Sequence, residues 1–342
     1  MDYDVIIIGA GPSGSTAAKY LAESGLNILL LDKDSFPRDK PCAGGLCNHI
    51  IKFDYLREHL ISDSSLLHGI CRGSMVFGPG DQKLYSYNAE YDLFFNVFRN
   101  EFDMLLINLA IKAGSEFKSK AFVSKIKHYK THVDVILSEG IKLSSKFLII
   151  ADGPNGKAGN FFRNCLDLDK KWKKKMGFSI VEEIPVDPVF INRSYGSDLH
   201  AILYFKYDNL RGYAWLFPKK HSINIGFTGS FREMKQYDLK KGYQQYLVFL
   251  KQNNFLPKDI ISRNIKGAFI PLDGPLKKSG YYNMVLVGDA AGFVSPLSGE
   301  GIYYAMDSGK LAAEAIINGF HKKISKNFFN SYHRNCMDSW GK

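Results

Sequence analysis

Two stretches of small residues stand out in this 342-residue chain. Near the start, "VIIIGAGPSGSTAA" sets Gly9, Gly11 and Gly14 in the spacing G-x-G-x-x-G. Near the end, "LVGDAAGFVSPLSGEGIYYAM" gathers Gly288, Gly292, Gly299 and Gly301 around the acid Asp289. Such stretches let a backbone approach a phosphate or a flat ring closely. In the first, Gly9 permits a tight turn, Gly11 admits a pyrophosphate, and Gly14 allows a helix to pack on its strand. The helix N-terminus adds free N–H groups and a positive dipole end. Asp32 follows 18 residues after Gly14, where a carboxylate can accept hydrogen bonds from a ribose. That acid disfavours a 2′-phosphate, so NADP is not expected here. A dinucleotide is expected, and this loop alone does not separate NAD from FAD.

The second stretch separates them. A nicotinamide enzyme of this type needs one glycine loop, whereas FAD carries a ribityl chain and an isoalloxazine ring beyond its pyrophosphate. Asp289 can accept bonds from ribityl hydroxyls, and Gly288 and Ala290 remove side chains that would block the pyrophosphate. A helix starting near Gly301 would point its dipole at the ring edge where negative charge collects on reduction. FAD is therefore the expected cofactor.

The elements that must position these loops are legible in outline. Residues 1–35 read as strand, turn, helix and strand, and "DLFFNVFRNEFDMLLINLAIK", from Asp92 to Lys112, has an apolar pattern close to helical period that Gly114 ends. "AFVSKIKHYKTHVDVILSEG" reads as a hairpin or meander, and "KFLIIADG" as a short buried strand ending at Asp152. Between about 155 and 266 the style changes to aromatic, alternating runs that suggest an antiparallel sheet with a helix. After Gly267 the small-residue style returns. The expected fold class is α/β, α+β overall, with a Rossmann-like FAD-binding domain (1–75, 92–155 and 267–320) interrupted by an antiparallel-sheet substrate-binding domain. The latter takes 156–266 with part of 76–91, and 321–342 form a short tail.

Composition narrows the setting. No apolar run approaches the ~18 residues that span a bilayer, and the run Val5 to Ile8 breaks at Gly9, too short for a signal peptide. The expectation is a cytoplasmic protein, soluble or peripheral at the cytoplasmic membrane face. Five cysteines form no C-x-x-C pair, so neither a disulfide framework nor a metal site is expected. His128 and His132 sit four apart in a stretch that reads as strand. The net charge is +11, with a dense run "DKKWKKKMG" from Asp169 to Gly177. That run reads as a solvated loop, or as a contact with anionic lipid or a phosphorylated substrate with Trp172 at the interface. No nucleic-acid-binding motif accompanies the charge, so no nucleic-acid partner is expected.

Taken together, "GAGPSGSTAA", "KPCAGGL" (Lys40 to Leu46), "RNEFDMLLINLAIKAG" (Arg99 to Gly114), "ADGPNG" (Ala151 to Gly156), "YAWLFP" (Tyr213 to Pro218) and "VGDAAGFVSPLSGEGIYYAMDSGKLAAEAI" resemble the geranylgeranyl reductases, within the para-hydroxybenzoate-hydroxylase-like flavoproteins. The resemblance covers most of the chain. It implies FAD contacts at Gly9, Gly11, Gly14, Asp32, Arg99 and Asp289, with Gly299, Gly301 and Ile302 near the isoalloxazine. Arg99, at a helix start, would neutralise pyrophosphate or hold the ribityl region. Tyr213, Trp215 and Phe217 alternate along one strand face and would line an apolar cavity. The family pattern has a proline three residues before the tyrosine, where this chain has Leu210. Cys42 would lie near the flavin, as proton donor or as a packing residue, and Cys47 lies five residues on.

The implied activity is FAD-dependent reduction of isoprenoid double bonds, of geranylgeranyl groups on a lipid or lipid precursor. The hydrophobic substrate needs an apolar tunnel, and the electron donor is NADPH, ferredoxin or another reductant. Two other readings share the FAD residues: a flavin monooxygenase or hydroxylase of the same fold, and a non-catalytic flavin- or lipid-binding protein. The chain stops soon after the helix ending near Gly319, where many reductases continue, and that shortness is what supports the binding-protein reading.

Overall fold

The computed structural model describes residues 1–62, 65–168, 172, 176–210, 212–296 and 298–340. The chain opens as β1 (Tyr3–Ile8), α1 (Pro12–Glu23) and β2 (Ile28–Leu31). β1 is apolar on both faces and buried from Val5 to Ile8, as a central parallel strand must be. α1 starts on Pro12, which has no N–H to leave unsatisfied at that end. Next come β3 (Gly45–Cys47), β4 (Gly69–Gly78), β5 (Gln82–Asn88) and β6 (Phe94–Asn96), then α2 (Arg99–Lys112). β7 (Glu116–Lys118) precedes the hairpin β8 (Val123–His128) and β9 (Val133–Leu137), followed by β10 (Lys142–Ile150) and α3 (Lys157–Cys165). The middle of the chain forms β11 (Met176–Pro185), α4 (Pro188–Tyr195), β12 (Leu199–Phe205), β13 (Gly212–Pro218), β14 (Ser222–Ser230) and α5 (Leu239–Gln252). β15 (Lys266–Pro271), β16 (Gly280–Tyr281), β17 (Met284–Leu286), α6 (Ile302–Gly319) and α7 (Asn330–Trp340) complete it.

Two compact units result. The first comprises Met1–Arg38, Phe102–Lys175 and Ile270–Lys342. Its sheet runs β16-β17-β10-β1-β2-β7, parallel from β17 to β7, with the β8–β9 hairpin continuing from β10. α1 and α6 pack together so closely that a Cβ at Gly309 would lie 2.2 Å from the Ser13 carbonyl oxygen. The second comprises Asp39–Glu101 and Met176–Phe269. Its sheet runs β15-β11-β14-β13-β12-β4-β6-β3, with β5 on β4. Its described pairs are antiparallel except β12 with β4, which is parallel. The Rossmann-like α/β unit is thus interrupted by a mainly antiparallel one.

The boundaries differ from those expected. Residues 39–75 and 92–101 belong with the second sheet, because β3, β4 and β6 pair there. Residues 156–175 and the tail after 320 belong with the first, where α7 packs on α6 and β16. The helix expected from Asp92 begins only at Arg99. Its apolar lead-in is β6, which the edges of β3 and β4 capture, and Asn96 Nδ2 anchors it to the Pro218 carbonyl at 2.7 Å. Trp172 is not at a surface: it is 1% exposed and donates to the Pro154 carbonyl at 2.8 Å, with the Arg163 guanidinium 4.5 Å from its ring. The lysines around it lie outside the described residues.

Asp152 anchors the start of α3, accepting from Ala158 N–H at 2.8 Å and Gly159 N–H at 3.2 Å. Burial pushes its carboxyl up to about 6, against the pull of those N–H groups and Arg163. The native state therefore holds the proton more tightly than the unfolded chain. The stability this group contributes is complete below the unfolded pKa, about 4, and is lost as pH rises through about 6. Asp152→Asn is expected to remove that component. Thermal unfolding between about pH 4 and 7 should show a Tm that falls with pH more steeply in the parent than in the variant.

Candidate cofactor and substrate sites

The three glycines of the first loop serve different ends. A Cβ at Gly9, where φ is +105°, would meet the Ala151 carbonyl oxygen at 2.3 Å, and one at Gly14 would meet the Gly9 oxygen at 1.9 Å. Both are needed for the backbone to pack. Gly11 is different: a Cβ there meets nothing nearer than Arg38 Nη2, at 3.6 Å. That is an ordinary van der Waals contact, so packing does not demand a glycine there as it does at Gly9 and Gly14. Asp32 follows β2 and is buried, its carboxylate accepting from Ala10 N–H at 2.7 Å and Asp34 N–H at 2.9 Å. It fixes the turn, and a carboxylate keeps further lone pairs for a hydroxyl donor.

Arg38 was not singled out from the sequence. Its Nη2 lies 3.3 Å from the carboxylate of Asp103, which is fully buried on α2, and its guanidinium stacks 4.9 Å from the Phe36 ring. Its buried Nε has no hydrogen-bond partner among the described residues, with Asp34 4.0 Å away. A buried guanidinium donor near Gly11 is a place for an anion. The only sequence signal is an arginine flanked by Asp34 and Asp39, which reads as an ordinary surface charge. Arg99 is the first residue of α2, one turn before Asp103.

The second loop is tied down from several sides. Gly288, at φ +57°, donates to Ser308 Oγ on α6 at 2.8 Å. Arg163, fully buried, donates to the Ala290 carbonyl at 3.1 Å, to the Pro154 carbonyl in the preceding loop and to Asn160 Oδ1 on its own helix, α3. Gly292, at φ +87°, runs against the Gly274 carbonyl, where a Cβ would approach to 2.8 Å. Gly301 caps α6, and a Cβ on it would lie 3.4 Å from Asp289 Oδ1. The structure therefore brings Asp289, Gly301 and Ile302 together at the N-terminus of an 18-residue helix, with Gly299 at φ +67° just before it. Arg163 and Ser308 hold this arrangement. Neither stood out in the sequence, where a buried arginine and a helical serine have no distinguishing pattern.

In the second unit, Trp215 and Phe217 share one face of β13 and are buried, with Tyr213 half-buried beside them. The Tyr213 and Trp215 rings lie 5.7 Å apart. Phe217 fills the space over Gly45, where a Cβ would meet its ring at 2.8 Å, and packs edge-on to Phe94. Half-buried Cys42 accepts the Gly44 N–H on its sulfur at 3.4 Å, and its carbonyl accepts from Asn224 Nδ2 at 3.1 Å. Burial holds the Tyr213 phenol above its usual range, and the nearby Cys42 and Cys47 thiols add to this. The described geometry thus gathers Cys42, Tyr213, Trp215 and Phe217 in one unit. His128 is occupied elsewhere, hydrogen-bonded to Asn283 at 2.9 Å.

A family model described as an FAD binding domain matches residues 2–218. An uncharacterised protein of Methanosarcina barkeri is 34% identical over 94% of this chain and 76% of its own. The digeranylgeranylglycerophospholipid reductase of Methanosarcina acetivorans is 28% identical over 92% of this chain and 74% of its own. The chain belongs to the family of proteins that carry this FAD binding domain. A geranylgeranyl bacteriochlorophyll reductase-like protein of Thermoplasma acidophilum shares the fold, with a TM-score of 0.77, 23% identity, and coverage of 99% of this chain and 82% of that one.

FAD is the cofactor of this protein. The residues present fit it: a glycine at a helix start that packing does not demand, the guanidinium of Arg38 near it with a buried Nε that makes no hydrogen bond among the described residues, and an acid close to the start of a second helix. If Arg38 neutralises the pyrophosphate, Arg38→Ala should weaken FAD retention about tenfold or more, as loss of a charge-assisted contact does. Flavin content after gel filtration and titration of the apoprotein with FAD check this. Binding equal to the parent would contradict it.

Proposed function

We propose that this protein is an FAD-dependent reductase that saturates isoprenoid C=C bonds, those of geranylgeranyl groups on a lipid or lipid precursor. The observation that carries the reading is the aromatic face of β13 packed in one unit with the Cys42 loop, in a chain whose family binds FAD. In this reading Gly9, Gly11, Gly14, Asp32, Arg99 and Asp289 hold the cofactor, and Gly299, Gly301 and Ile302 face its ring. Tyr213, Trp215 and Phe217 contact the isoprenoid, whose affinity comes from buried apolar area at ~25 cal/mol per Å².

Bound and reduced, FAD supplies a hydride to one alkene carbon. The other carbon takes a proton, for which Cys42 is the proposed donor: its S–H bond breaks as the new C–H bond forms, and solvent reprotonates the thiolate. The positive end of α6 stabilises negative charge near Asp289 and Gly301. The apolar residues of β13 orient the chain and exclude water. The electron donor in this reading is NADPH, ferredoxin or another reductant.

Access to a lipid suggests a peripheral contact with the cytoplasmic face of a membrane. Among the described residues no helix is long and apolar enough to cross one. The net charge of +11 supports attraction to anionic headgroups.

Cells expressing the protein should accumulate prenyl lipids heavier by about two mass units per reduced bond. Trp215→Ala should reduce that gain about tenfold or more while sparing FAD content, since a lost aromatic contact removes orientation. Unchanged lipid masses despite bound FAD would overturn the proposal. FAD loss in the variant would misplace the strand.

A further inference from the structure

The second unit buries a charge that the proposed reaction does not use. Lys219, in the turn between β13 and β14, is 1% exposed, yet carries an ammonium group. Its Nζ lies 2.6 Å from Glu183 Oε2, on β11, and 4.8 Å from the Phe98 ring centroid. Glu183 is 32% exposed, so the pair is only partly shielded from water; burying its lysine end contributes little stability over an apolar residue of similar size, and its presence calls for another reason.

The hydrogen bonds of this pair lead to the cysteine loop. Lys219 Nζ donates to the Ala43 carbonyl at 3.4 Å. Glu183 Oε2 also accepts from Asn224 Nδ2 at 2.8 Å, and Glu183 Oε1 from Ser222 Oγ. The Asn224 amide donates in turn to the Cys42 carbonyl, and its oxygen accepts from Trp215 Nε1 at 2.9 Å. Two consecutive carbonyls, of Cys42 and Ala43, are thereby held by two side chains that share one carboxylate. The next residue, Gly44, sits at φ +75° with its backbone against Val97, where a Cβ would come within 2.2 Å of the carbonyl oxygen. The loop has little freedom to turn the Cys42 thiol elsewhere.

From this geometry we infer that Lys219, Glu183 and Asn224 are positioning residues. They hold the Cys42 thiol in its reactive orientation and tie it to Trp215 on the aromatic strand. The inference rests on the reading of Cys42 as proton donor. In it a charge pair, rather than packing alone, sets the thiol.

The test uses the FAD-loaded double variant Lys219→Met/Glu183→Gln, which removes both charges together and leaves no buried ion unpaired. Iodoacetamide labelling of Cys42, followed by peptide mass spectrometry, reads the loop directly, and steady-state kinetics read its consequence. With FAD content and Tm near the parent's, Cys42 should label about fivefold faster or more, and kcat should fall about tenfold or more with KM within about threefold, because a reacting group displaced by an ångström costs that much. An unchanged labelling rate in the folded variant overturns the inference, whatever kcat does. If the double variant does not fold, Asn224→Ser removes the hydrogen bond to the Cys42 carbonyl and is read in the same way. Cys42→Ser is run alongside: parental turnover there overturns the proton-donor reading, while the labelling rate still decides the positioning.

Discussion

Close approach of backbone to backbone around β1 is the constraint from which the cofactor unit is built. Gly9 lies where only a hydrogen fits against the Ala151 carbonyl, and Gly14 where only a hydrogen fits against Gly9 itself. Gly309 repeats the condition between α6 and α1. These contacts let β1 and β10 pair in register from Tyr3 to Ile8, and they bring together loops from three distant parts of the chain. The helix N-termini of α1 and α6 belong to the same unit because of that pairing. Gly11 alone among the first three glycines is not demanded by packing, since a Cβ there would make only an ordinary contact with Arg38.

The second unit is organised on a different principle. Its core is rich in aromatic side chains, and several of their polar ends find a partner: Trp215 on Asn224, Tyr207 on Gly242, and Tyr243 on Glu182. Buried polar groups in such a core are costly unless satisfied, and these three connect β13 to β14 and α5 to its neighbours. The cysteine loop is stitched to this sheet through backbone carbonyls and the ring of Phe217, which makes its geometry a property of β11, β13 and β14 together.

What the sequence disclosed follows from how local each signal is. The strand–turn–helix around Gly9, the β8–β9 hairpin and α6 all have short-range patterns, and all appear where expected. The helical pattern from Asp92 overruns the helix start at Arg99 because β6 is apolar for tertiary reasons, its partners lying at residues 45–47 and 69–71. Residues 39–75 joined the second unit for the same cause. Trp172 sat in a run of lysines and read as a surface residue, whereas its indole is fixed under Arg163. Arg38, Arg163 and Lys219 escaped notice because a buried charge is indistinguishable in sequence from a solvated one until its partner is known. The glycines of the first loop were legible because close packing within one strand–turn–helix imposes the spacing of Gly9 and Gly14.

The account has one central claim, that reduced flavin in this protein delivers electrons to an isoprenoid double bond. FAD-loaded protein reduced with dithionite in the absence of oxygen, then mixed with a geranylgeranyl lipid, tests it directly. The account predicts that oxidised-flavin absorbance returns on mixing, and that the lipid gains two hydrogens for each flavin oxidised. Flavin that stays reduced beside an unchanged lipid would contradict it.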